Sequence, residues 1–87
     1  MNECLLPESE LSEMWDVTEK SETCLRYEIT EKGDSYIRVC RVNNKYALKA
    51  VYNGETVSSP KPIFSQNVKN ETQTYMKEIE RRVMKAP

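Results

Sequence analysis

Histidine is absent from this 87-residue sequence. That removes the commonest general base, the commonest metal ligand and every Ser-His or Cys-His nucleophile pair. Glycine is nearly absent too. Gly33 and Gly54 are the only two, and both fall in turn signals, so no glycine-rich loop exists to cradle phosphate. The three cysteines, Cys4, Cys24 and Cys40, are odd in number, widely spaced and without a C-x-x-C pair. That spacing argues against a disulfide framework and a zinc site, and it predicts free thiols in a reducing compartment, hence a cytoplasmic protein. No apolar run is long enough for a transmembrane helix, and no basic-then-apolar start marks a secretory signal. The acids show no calcium-loop spacing. The expectation is therefore a non-enzyme with no cofactor, no metal and no membrane.

The charge that is present is unevenly placed. Residues 1–22 carry seven acids against Lys20, a balance of −6, and residues 23–87 carry +5, which returns the net −1 of the chain. An acidic end on a basic body suggests self-contact or a basic surface meant for an acidic partner.

The clearest local signal is Asn53-Gly54 between two alternating runs, the strongest short-range mark of a two-residue hairpin. Two further bends, Lys32-Gly33-Asp34 and Asn43-Asn44, divide residues 23–59 into a meander of four short strands. If Glu31 pairs with Ser35, Ile29 faces Ile37, Tyr27 faces Val39 and Glu28 faces Arg38. A two-residue loop would instead mix the faces. The next two turns set Val39 opposite Leu48, Ile37 opposite Ala50, and Ala50 opposite Val57. Together they define one core face: Leu25, Tyr27, Ile29, Ile37, Val39, Tyr46, Leu48, Ala50 and Val57.

Beyond Ser58-Ser59-Pro60-Lys61-Pro62, where proline breaks the sheet, Ile63 and Phe64 are expected to pack under a helix. That helix runs from Ser65 or Asn67 to about Lys85, with Val68, Thr72, Tyr75, Met76, Ile79 and Val83 as its apolar stripe. At the other end, Pro7 and the acids Glu8 and Glu10 suit a helix start, and Leu11, Met14 and Trp15 fall at i, i+3, i+4. This predicts a short N-terminal helix ending near Val17, followed by a polar linker from Thr18 to Glu22. The whole reads as a single α+β domain over 1–87: an acidic helical segment (1–22), an antiparallel four-stranded β-meander (23–59) and a C-terminal helix (65–85). Its core is thin enough that monomer and homodimer both remain open.

The registers yield one surface of interest. Opposite the core, the sheet is expected to present Arg26, Arg38 and Lys49 with Tyr36 and Val51, a basic row with an aromatic that suits nucleic acid or an acidic protein. The acidic segment offers Glu8, Glu10, Glu13, Trp15 and Asp16 as a second candidate binding group. Trp15 is open to a core role as well.

In size, acidic segment, paired sheet and helix, and lack of catalytic residues, the chain resembles the small single-domain inhibitors that phages and mobile elements make to block host defence, anti-CRISPR proteins among them. The resemblance implies a non-enzymatic inhibitor that binds a host protein or nucleoprotein complex. Lys45 to Val57 followed by the last helix is also loosely similar to the arm-type DNA-binding domain of tyrosine integrases, whose basic lead is replaced here by acids. That likeness implies the alternative, a nucleic-acid-binding module using the open sheet face.

Overall fold

The computed structural model of the protein describes residues 8–29, 34–58 and 61–85. The thiol at Cys4, the helix start at Leu5-Leu6-Pro7, the Lys32-Gly33 part of the first bend and Pro60 lie outside the described residues. After a 3₁₀ turn at Glu8–Glu10 come β1 (Trp15–Lys20), β2 (Cys24–Ile29), β3 (Tyr36–Val42), β4 (Lys45–Tyr52), β5 (Glu55–Ser58) and β6 (Pro62–Phe64). The helix α1 (Ser65–Lys85) follows directly. The strands form one antiparallel sheet in the order β1-β2-β3-β4, with β5 and β6 sharing the far edge of β4. The class is α+β with a C-terminal helix, as the sequence indicates, but the strand count and the N-terminal element differ from expectation.

The expected N-terminal helix is strand β1. Leu11, Met14 and Trp15 satisfy a helical period, yet Trp15 and Val17 also alternate with Asp16 and Thr18. The open edge of β2 decides between them. In the strand, Trp15 pairs with Ile29 and Val17 with Tyr27, so the ladder is completed and Trp15 is buried. Val17 and Thr18, both β-branched, favour the same outcome. The expected polar linker is therefore the end of β1 plus a tight bend. In that bend Ser21 N–H donates to Cys24 O at 2.9 Å and Cys24 N–H donates to Ser21 Oγ at 2.9 Å.

Between β2 and β3 the faces are as expected and the partners are not. Tyr27 lies opposite Ile37, Leu25 opposite Val39, Arg26 opposite Arg38 and Glu28 opposite Tyr36. A slip of two residues preserves every side chain's face while changing what it meets. The slip has a tertiary cause that no isolated hairpin contains. Asp34 O accepts from Gly54 N–H at 3.0 Å, and the buried Ser35 takes Asn53 N–H on its Oγ at 3.0 Å. Ile29 N–H then closes on Ser35 O at 3.1 Å. The Asn53-Gly54 turn thus holds a second turn in place.

The β3–β4 register matches expectation, with Val39 opposite Leu48 and Ile37 opposite Ala50. Beyond Asn53-Gly54, Val51 pairs with Thr56 but Ala50 pairs with Ser58. Val57 is therefore the extra residue of a bulge, not the partner of Ala50. It is half-buried against the core.

The proline-rich stretch interrupts the sheet only briefly. Pro62 resumes it as the first residue of an edge strand, where a missing N–H is tolerated. Ile63 turns into the core opposite Tyr46, and Phe64, opposite Lys45, turns out and is 58 % exposed. Only Ile63 packs as expected.

Helix α1 lies on the core face, burying Val68, Thr72, Met76 and Ile79. The Thr72 hydroxyl donates to Val68 O at 2.7 Å, so its burial leaves no polar group unmet. Trp15 closes the far side, its indole Nε1–H donating to Glu80 Oε2 at 2.7 Å.

Candidate functional site

Residues directly opposite on antiparallel strands share a face, so the pairing defines the uncovered side of the sheet as four cross-strand rows. The first is Asp16, Glu28, Tyr36, Val51 and Thr56; the second is Glu19, Arg26, Arg38 and Lys49. The third is Cys24, Cys40, Ala47 and Pro62, and the last is Val42, Lys45 and Phe64. The upper rows are charged and aromatic, the lower rows apolar apart from Lys45.

Glu19 reaches this face through a bulge. Strict alternation from Trp15 would turn Glu19 toward the core, but Thr18 is skipped in the pairing. The bulge re-aims the carboxylate outward. There it receives Arg38 Nε at 2.8 Å and Nη2 at 3.1 Å. Those hydrogen bonds, with the charges of Arg38 and Arg26, hold the Glu19 carboxyl below its usual range and raise Arg38. Glu28 engages Arg26 Nε at 3.2 Å and accepts the Thr18 hydroxyl at 3.1 Å. Arg26 lies 3.9 Å over the centre of the Tyr36 ring. Each arginine is thus held by a carboxylate, and one is stacked as well. Lys49 is exposed and, among the described residues, has no acidic partner.

In the third row Cys24 and Cys40 are joined as a disulfide, with Cα atoms 4.1 Å apart. Arg41 N–H donates to Thr23 O, which makes the next pair along, Cys24 with Cys40, the non-hydrogen-bonded kind whose side chains approach most closely. The expectation of free thiols does not hold for this pair, and the case for a reducing compartment loses its basis there. The register slip is what joins them, since the expected pairing set Cys40 against Arg26. Below the bond, Val42, Ala47, Pro62, Lys45 and Lys61 border a hollow of about 470 Å³. Val42 is 55 % exposed, and Lys45 lies 5.0 Å over the Phe64 ring.

The five sheet residues singled out from the sequence, Arg26, Tyr36, Arg38, Lys49 and Val51, do share this face, with Val51 buried between its neighbours. The acidic group is not brought together. Glu8 and Glu10 belong to the 3₁₀ turn, and Glu10 bonds Lys69 of α1 at 3.1 Å. Glu13 is exposed in the following loop, and Trp15 is in the core on the opposite side of the sheet. Only Asp16 joins the outer face. Sequence reasoning missed Glu19, the disulfide and the exposed Phe64. The alternation of β1 and the shared face of the two cysteines were the signals available.

Comparison of the chain with protein-family models, curated proteins and solved structures found no match. Among the described residues, no helix is long and apolar enough to cross a membrane, and no cluster of three or more metal-ligating side chains occurs.

Proposed function

We propose that the protein is a non-enzymatic inhibitor or regulator, of the kind phages and mobile elements direct against host defence, which binds a host protein or nucleoprotein complex through the outer face of its sheet. One observation carries this reading: α1 covers a single face, and the bare face presents arginines already fixed by carboxylates and by Tyr36. Fixed arginine and tyrosine side chains lose little freedom on binding and are the residue types that dominate interface energetics. The apolar rows beside them supply contact area.

The runner-up, a nucleic-acid-binding module, rests on the row Arg26, Arg38, Lys49. Two of those three cations are paired with Glu28 and Glu19. Carboxylates beside the arginines repel phosphate, so a protein partner is the better fit. A cytoplasmic setting would keep Cys24 and Cys40 reduced, which makes their thiol state informative about location.

Arg38→Glu combined with Lys49→Glu should leave folding intact and abolish capture of the partner from a host lysate, read by mass spectrometry. Unchanged capture would remove the face from the proposal. Titration with DNA and RNA at two salt concentrations separates the readings, since phosphate binding weakens steeply with salt.

A further inference from the structure

The outer face is polarised. Its β1–β2 side carries Asp16, Glu19 and Glu28 against Arg26, and its β4–β6 side carries Lys45 and Lys49 with no acid in the rows. The neutral row of the Cys24–Cys40 disulfide, Ala47 and Pro62 runs across the strands from one side to the other. A surface acidic at one end and basic at the other, crossed by an apolar row, is complementary to itself under a two-fold axis.

We infer that the free protein forms an isologous dimer through this face, the acidic side of each copy seated against the basic side of the other. The size is adequate. Four strands about 4.8 Å apart and four rows about 6.8 Å apart give a flat patch of roughly 400–500 Å². Side-chain relief brings that toward the roughly 600–1,000 Å² per partner of a stable interface. Exposed Asp16 and Lys49, neither with an ion-pair partner among the described residues, supply the cross-copy contacts. The inference rests on reading the face as a docking surface, but not on the identity of any host target. A second copy would compete with that target for Arg26 and Tyr36.

Sedimentation equilibrium over a concentration series tests it. Wild-type protein should move from the 10.2 kDa chain mass toward twice that value. Asp16→Lys alone and Lys49→Glu alone each place like charges at both symmetric contacts and should weaken association at least roughly tenfold. Mixing the two single variants should restore it, because the mixed dimer regains two opposite-charge contacts. Circular dichroism melts confirm that each variant is folded. A wild type that stays at the monomer mass, single variants that dimerise as well as wild type, or a mixture that fails to recover each overturns the inference. The lysate experiment reads host-partner capture separately: wild-type protein that stays monomeric yet captures a partner overturns the dimer alone.

Discussion

Glu19 spans β2 to grip Arg38 with both carboxylate oxygens, at 2.8 and 3.1 Å. The intervening residue is Arg26, itself held by Glu28. Two guanidiniums directly opposite one another would repel, and the two carboxylates offset that repulsion. They also mask the row from phosphate. Replacing both, Glu19→Gln with Glu28→Gln, should therefore strengthen binding to a labelled 20-base DNA at low salt by about tenfold or more over wild type, with a steeper salt dependence. No gain would mean that the carboxylates are not what disfavours nucleic acid.

Trp15 and Glu80 tie β1 to α1 across the core edge. The indole is 3 % exposed and its N–H has Glu80 as partner at 2.7 Å. Trp15→Ala should cost about 3–5 kcal/mol through lost burial and the cavity left behind. Glu80→Ala should cost about 1–3 kcal/mol by leaving the N–H unmet. Urea unfolding followed by circular dichroism measures both, and in Glu80→Ala the single tryptophan also reports its own environment by fluorescence. A neutral Trp15→Ala would return Trp15 to the list of exposed anchors.

The Cys24–Cys40 bond closes a loop with a sequence separation of 16. Chain-entropy reasoning assigns such a loop about 3 kcal/mol. Reduction, or Cys40→Ser, should lower unfolding free energy by about 2–4 kcal/mol. Alkylation of denatured, unreduced protein should label one cysteine of the three. Labelling of all three would show that the pair is reduced in the protein as isolated.

The face that each side chain of β2 to β4 takes is legible in the sequence, because alternation and turn chemistry agree and the core penalises a one-residue slip. A two-residue slip costs no burial. Choosing between Tyr27 opposite Val39 and Tyr27 opposite Ile37 requires the contact of Asn53-Gly54 with Asp34-Ser35, which is remote in sequence. The same limit hid the disulfide. β1 failed for another reason. Leu11, Met14 and Trp15 fit a helical period while Trp15 and Val17 fit that of a strand, and only the vacant edge of β2 selects one. Of the candidate site, the basic row was readable in strands β2 to β4. Its neutralisation was not, since a bulge at Thr18 leaves no mark in composition.

Asn53 and Gly54 both have positive φ, 53° and 82°, as a type I′ hairpin requires. A Cβ added at Gly54 would meet nothing within 4 Å, so space is not what selects glycine. Gly54→Ala should still cost about 1 kcal/mol through its backbone conformation alone. Because the same turn fixes Asp34 and Ser35, amide exchange should rise at Ile29 and Ser35 as well as at the turn. Asn43, at φ 59°, should accept glycine within about 0.5 kcal/mol. Equal effects at both turns would separate the Asn53-Gly54 bend from the β2–β3 register.

Near the end of α1, Glu78 accepts from Arg81 Nη2 at 2.6 Å and from Arg82 Nε at 2.9 Å. These two bonds lower the Glu78 carboxyl from 4.5 to about 2. A carboxylate whose folded value is depressed contributes stability that is complete above its unfolded value, and that contribution fades as pH falls through the folded one. The last helical turns should therefore hold down to about pH 4.5 and loosen progressively toward pH 2. Both ion pairs lie at the helix surface, so the change should be local fraying, not global unfolding. Carboxyl-carbon NMR should place the Glu78 midpoint near 2, and Arg81→Ala with Arg82→Ala should return it to about 4.5. If Glu78 already titrates at the ordinary value in wild type, the two arginines are solvated separately and the acid-labile helix end does not exist.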